Sequence, residues 1–142
     1  LDVMGVINVS YSKEANTTGG RNFVSLEQIH IWNPDVILVN EPKVKIHMLS
    51  ERQWATLKAI KEKKVVLMPI GISRWGHPGS IETPLAILWT AKTLYPDRFN
   101  EMDMTGETKA FYMDFFNHAL PDQLVNQVLS GKLVRKPKKK KY

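Results

Sequence analysis

The sequence predicts an α/β fold: a parallel sheet flanked by helices in three layers, finished by C-terminal helices. Two observations carry that prediction. The apolar runs Asp35 to Val39 and Lys64 to Met68 are continuous rather than alternating, as strands covered on both faces are. Each run is preceded by a stretch with the grammar of a helix start, so strands and helices alternate along the chain. At 142 residues the chain has the size of one domain with a real core, and it shows no internal repeat.

Val3 to Val9 is expected to be a first strand. In Val24-Ser25-Leu26-Glu27-Gln28-Ile29, Ser25 can cap the Gln28 amide while Val24 packs on Ile29, and Pro34 ends that helix near Trp32. The same pattern in Leu49-Ser50-Glu51-Arg52-Gln53-Trp54 predicts a second helix from Ser50 to about Lys61, with Trp54, Leu57 and Ile60 facing inward. Three strands and two helices then make two consecutive crossover units. A loop of fifteen residues, Pro69 to Thr83, is long enough to suggest function. Beyond it, Pro84 to Leu94 is apolar almost all round and reads as a buried helix stopped by Pro96. Thr105 is expected to cap a helix bearing Phe111, Phe115 and Ala119 on one side. Pro121 opens the last helix, with Leu124, Val125, Val128 and Leu129, and Gly131 closes it.

The formal charge of +6 suggests nucleic acid until it is located. Seven of the 20 basic residues follow Gly131 with no acidic residue among them, which leaves the remainder at −1. Residues 132–142 therefore read as a basic tail, expected to be disordered and solvated, and residues 1–131 as the domain. No nucleic-acid partner is expected; binding through the tail alone would show a steep salt dependence. The absence of cysteine excludes disulfides and thiolate metal or catalytic sites. No stretch has the length of a membrane span and no export pattern opens the chain, which starts on Leu1-Asp2-Val3 and reads as a fragment.

Few motifs carry chemistry. Gly19-Gly20-Arg21-Asn22 precedes a helix but lacks the spacing of the nucleotide-binding glycine motifs, so it reads first as a turn whose amides can still meet an anionic group. His30, His47, His77 and His118 form no metal pair at helical spacing. Ser73 and Ser80 have no nucleophile elbow around them, and no carboxylate pair is spaced to split two pKa values. The richest segment is Gly71 to Ser80, which places Arg74, Trp75 and His77 on a glycine-hinged turn. That turn lies at the carboxyl end of a parallel strand, where open α/β sheets bind ligands. Arg74 can clamp carboxylate or phenolate groups; Trp75 can stack on a planar ligand or pack on the core. A small α/β enzyme or nucleotide-binding domain using the Gly19 to Asn22 turn and the Arg74 to His77 loop is the competing class.

Three phrases together resemble one family. They are Val24 to Ile29 leading into Trp32-Asn33-Pro34-Asp35-Val36-Ile37; Trp54 to Ala59 leading into Val65 to Pro69; and Trp75 through Glu82, Leu85, Trp89 and Ala91 to Tyr95-Pro96 and Phe99. Glu107, Phe111, Tyr112 and Phe115 fit the same ending. From about Gly19 to Gly131 the chain is similar to the C-terminal, Rossmann-like lobe of extracytoplasmic solute-binding proteins that import iron siderophores, haem and cobalamin.

The resemblance implies a non-catalytic monomer with no cofactor of its own, periplasmic or anchored at the cell surface as a lipoprotein. It implies a ligand held between two lobes, here an iron chelate, haem or a corrinoid, and passed to a membrane permease with its ATPase. It assigns ligand contacts to Arg21, Asn22, Arg74, Trp75 and His77, and permease docking to Glu27. One lobe supplies one wall of a cleft, so tight binding is expected to need both.

Overall fold

The computed structural model describes residues 5–10, 16–18, 21–77 and 79–132; the side chains of residues 16–18, 21 and 22 lie outside that description. Its centre is a pair of parallel strands, labelled β3 (Ile37–Val39) and β4 (Val65–Leu67), with Ile37 opposite Val65 and Val39 opposite Leu67. The ladder continues on both sides through Ile37 N to Lys64 O (3.0 Å) and Met68 N to Val39 O (2.8 Å). Both strands fall within the predicted apolar runs.

Successive residues of a strand face opposite ways, and the packing shows both faces covered. Ile37, Val39, Val65 and Leu67 pack with Met48, Trp54 and Ile60. Leu38 joins a larger core on the other side, formed by Met68, Trp75, Leu85, Phe111, Tyr112 and Val125 among others. A sheet between two apolar layers is the three-layer α/β arrangement the continuous runs predict.

The chain reaches that sheet through a hairpin, β1 (Asn16–Thr18) paired antiparallel with β2 (Arg21–Phe23). The expected first strand is corrected where it is described. Residues 5–9 are turn and unpaired backbone, with Gly5 at φ +65°, and residues 1–4 lie outside the described residues. Helix α1 (Leu26–Trp32) starts and stops as expected. Ser25 Oγ accepts from Gln28 N at 3.2 Å, and Asn33 closes the helix in the left-handed region.

Between β3 and β4 the helix boundaries differ from the sequence reading. The main helix is α2 (Pro42–Ser50), begun by Pro42 in its first turn, so Ser50 ends a helix instead of opening one. The Ser50 hydroxyl donates back to His47 O at 3.2 Å, which removes it from capping duty. A 3-10 turn (Arg52–Trp54) comes next, then Leu57 in extended conformation, then the short α3 (Lys58–Lys61). Trp54, Leu57 and Ile60 still face inward, Leu57 almost completely buried. The apolar spacing holds, although the backbone joining it is not one helix. The crossover is pinned by Asn33 Oδ1 accepting from Lys58 N (2.9 Å) and by the Lys58–Asp35 ion pair, which holds the Asp35 carboxyl below its ordinary range.

After the long loop come α4 (Thr83–Leu94), α5 (Met104–Phe116) and α6 (Asp122–Leu129). Helix α4 buries Leu85, Ala86, Thr90 and Ala91 but leaves Ile87 partly exposed, so it is covered on one side rather than all round. Lys92 fastens its end to the following turn by donating to the carbonyls of Phe99 (3.2 Å) and Met102 (2.5 Å). The cap of α5 is Asp103, whose Oδ1 accepts from Thr105 N, so Thr105 receives the cap expected to come from it. Phe111 is buried in the core while Phe115 stands 68 % exposed, and Ala119 lies beyond the helix end.

Gly131 closes α6 at φ +67°, and a Cβ there would sit 2.5 Å from Met68 O and 2.8 Å from Leu67 Cγ. Gly131→Ala is expected to cost about 1–2 kcal/mol for the left-handed backbone alone, with the overlap on a strand carbonyl added. Denaturant titration of the variant checks this. The tail from residue 133 lies outside the described residues. Among those described, no helix is long and apolar enough to cross a membrane.

Candidate ligand-binding edge

The loop between β4 and α4 leaves the sheet at its carboxyl edge and doubles back on itself. Ile70 bridges to Arg74, Gly71 N donates to Ser73 O (3.0 Å), and Trp75 N donates to Pro69 O (3.3 Å). A second turn comes after it, with His77 N donating to Arg74 O and Ser80 N to His77 O, each at 3.0 Å. The segment is therefore a knitted platform, not an open strand of chain.

Its foundation is Glu82, whose side chain is wholly buried at the N-terminus of α4. Glu82 Oε1 accepts from the Tyr112 hydroxyl at 2.5 Å, and Oε2 accepts from Ser73 N (2.8 Å) and Ser73 Oγ (3.3 Å). The Tyr112 oxygen in turn accepts from Ile72 N at 3.3 Å. Ser80 Oγ accepts from Glu82 N (3.2 Å) and touches Ser73 Oγ, so the hydroxyls run in series from Ser80 through Ser73 to the carboxylate. A carboxylate in this place gains from the helix dipole and from its donors, which offsets the cost of burial. Among the described residues no ion pair reaches it. Gly71 is required beside it, because a Cβ there would overlap Glu82 Oε1 and Tyr112 Oη.

This network decides where the predicted site residues point. Trp75 is only 2 % exposed and belongs to the main core, with its indole Nε1 buried and unpartnered. The expectation that Trp75 stacks on a ligand is thereby corrected. Tethered at Pro69 O, its backbone turns the ring inward onto the apolar layer, where burial outweighs one unmet donor. Arg74 and His77, by contrast, are exposed on the same turn. The Arg74 guanidinium pairs with the Glu41 carboxylate, both about half exposed. Glu41 and Asn40 directly follow β3, and the space beside Gly76 is bounded by Asn40 Oδ1 and the Met68 side chain. The carboxyl ends of β3 and β4 thus place Asn40, Glu41, Arg74 and His77 on one edge.

Asn40 and Glu41 were not singled out by sequence. The available signal was their position directly after an apolar run, at the sheet edge where ligands collect. Arg21 and Asn22 have backbone in β2, paired with Thr18 and Thr17. Their side chains lie outside the described residues.

Glu27 is exposed in the first turn of α1, its carboxyl held below the ordinary glutamate range by its own backbone amide and then by Ser25. His30 is a packing residue: Nε2 meets Gln53 O at 2.8 Å and Nδ1 meets the Thr56 hydroxyl at 3.2 Å, which fixes α1 to the crossover. No group of three or more histidines and carboxylates stands at metal-binding separation among the described residues. The edge offers a guanidinium, an imidazole and an amide, while the hydroxyl contacts of Ser73 with Glu82 and of Thr56 with His30 brace the loop and the crossover.

The chain is similar to several known proteins. A family profile described as periplasmic binding protein matches residues 1–70. The molybdate-binding protein MolA of Haemophilus influenzae is 39 % identical over 109 residues, covering 75 % of this chain and 31 % of its own length. Its solved structure with molybdate bound superposes with a TM-score of 0.60, over 69 % of this chain and 31 % of that one. A periplasmic solute-binding protein from Veillonella parvula gives a TM-score of 0.65 at 33 % identity, covering 80 % of this chain and 36 % of that one. An ABC transporter solute-binding protein from Sulfurospirillum deleyianum gives 0.68 at 35 % identity, with 80 % and 35 % covered. The chain spans about a third of the length of these relatives. It belongs to the periplasmic binding protein family, a family of binding proteins rather than enzymes, and corresponds to part of one such solute-binding protein.

Proposed function

We propose that residues 1–131 form the C-terminal lobe of the substrate-binding component of an ABC importer, working outside the cytoplasm in the periplasm or as a surface lipoprotein. In this reading the Arg74 to His77 edge, with Arg21 and Asn22, forms one wall of the ligand cleft. Glu27 presents a charge to the permease, which passes the ligand on with its ATPase. The observation that carries the reading is the exposure of Arg74 and His77 on a braced turn at the carboxyl edge of the sheet.

Two ligand classes compete for that wall. A compact oxyanion of the molybdate kind is favoured by the likeness to MolA, a molybdate-binding protein. It is also favoured by the burial of Trp75, which leaves a guanidinium and an imidazole where a planar macrocycle would want an aromatic shelf. An iron siderophore, haem or a corrinoid is the class implied by the family resemblance.

Titration of the full-length polypeptide with molybdate, tungstate, a ferric siderophore, haem and cobalamin, monitored by calorimetry, separates them. Saturable binding of the oxyanions alone is expected. Binding of haem or cobalamin alone would transfer the assignment to the second class, and no binding of any would overturn the import reading.

A further inference from the structure

Glu41 occupies an unusual position for its side chain. It is the N-cap residue of α2, a helix of nine residues, yet its carboxylate makes no capping hydrogen bond. That carboxylate is instead paired with Arg74 across the carboxyl ends of β3 and β4. A carboxylate on a guanidinium has the charge and fork geometry of an anionic ligand on the same group. The displaced carboxylate would stay at the start of α2, where the helix dipole favours a negative charge, although Pro42 has no N–H and the Val44 and Lys45 amides already donate to Glu41 O.

We propose that Glu41 is an internal stand-in for the anionic ligand: it holds Arg74 in the empty site and yields the guanidinium when the ligand arrives, turning toward the start of α2. The inference rests on the reading of Arg74 as a ligand contact and adds a residue that sets selectivity. A weakly charged or neutral solute cannot displace Glu41, whereas a dianion competes with it directly. Both partners are about half exposed, so the pair is weak enough to exchange. The cost of breaking it lowers affinity without abolishing it.

The test is calorimetric titration of molybdate into the full-length polypeptide, for the wild type, Glu41→Gln, Arg74→Ala and the double variant, each first confirmed folded by thermal melting. Glu41→Gln is expected to tighten molybdate by about two- to fivefold, the range set by an exposed ion pair. Arg74→Ala is expected to weaken it, and Glu41→Gln added to Arg74→Ala is expected to change nothing further. Glu51→Gln, which removes an equal charge from an exposed position away from Arg74, should bind as the wild type does.

If Glu41→Gln binds with the wild-type constant, or tightens binding equally when Arg74 is absent, the stand-in role is wrong while the import reading stands. A wild type that takes no molybdate overturns the anion assignment and the stand-in role together.

Discussion

Trp75→Ala is expected to destabilise the fold by about 3–5 kcal/mol, the range for removing a buried indole from a packed core. The ring is 2 % exposed and packs among Met68, Leu85 and the α5 and α6 side chains that share its core. No neighbouring backbone can collapse into the space, because the residue sits on a turn fixed at Pro69 O and at His77 N. Trp75→Phe should cost much less. It keeps most of the apolar contact and removes an N–H that has no partner in the core. The two variants separate packing from ligand contact. Loss of stability with Trp75→Ala, and near wild-type ligand affinity with Trp75→Phe, is the pattern expected of a core residue. Denaturant titration with a binding isotherm at each variant checks both.

Glu82→Ala is expected to cost about 3 kcal/mol, since it removes the acceptor shared by the half-buried Ser73 amide and the buried Tyr112 hydroxyl. The effect reaches function through the loop. Ser73 and Ile72 are both held by this network, and Arg74 is the next residue along. Tyr112→Phe removes one donor to the carboxylate and one acceptor for Ile72 N, and should cost about 1–3 kcal/mol. In both variants ligand affinity should fall together with stability, because the guanidinium loses its fixed position. Wild-type affinity in a destabilised Tyr112→Phe would show that the network supports only the fold.

The sequence made the frame legible where local chemistry and tertiary packing agree. The continuous runs became β3 and β4, Ser25 caps α1, and Gly131 closes α6 with the positive φ that glycine permits. It misled where one residue had two possible partners. Ser50 looked like a cap because Gln53 stood three residues later, but its hydroxyl turned back to His47 and the helix had already begun at Pro42.

The site was half legible for a similar reason. The loop announced itself by length and by its glycines, and Arg74 with His77 emerged on its surface. Trp75 is buried beneath a loop braced by Glu82 and Tyr112, which are 30 positions apart and meet only in the folded chain. In sequence, Glu82 is one acid before an apolar helix and Glu41 one acid after a strand. Neither spacing reveals that the first braces the loop and the second holds its guanidinium.

Whether the turn carrying Arg74 and His77 faces the ligand is tested most directly by hydrogen exchange of the full-length polypeptide, with and without saturating ligand. Slower exchange at the amides of residues 71–77 on ligand addition is the predicted result. Unchanged exchange there, with protection confined to other parts of the polypeptide, would contradict it.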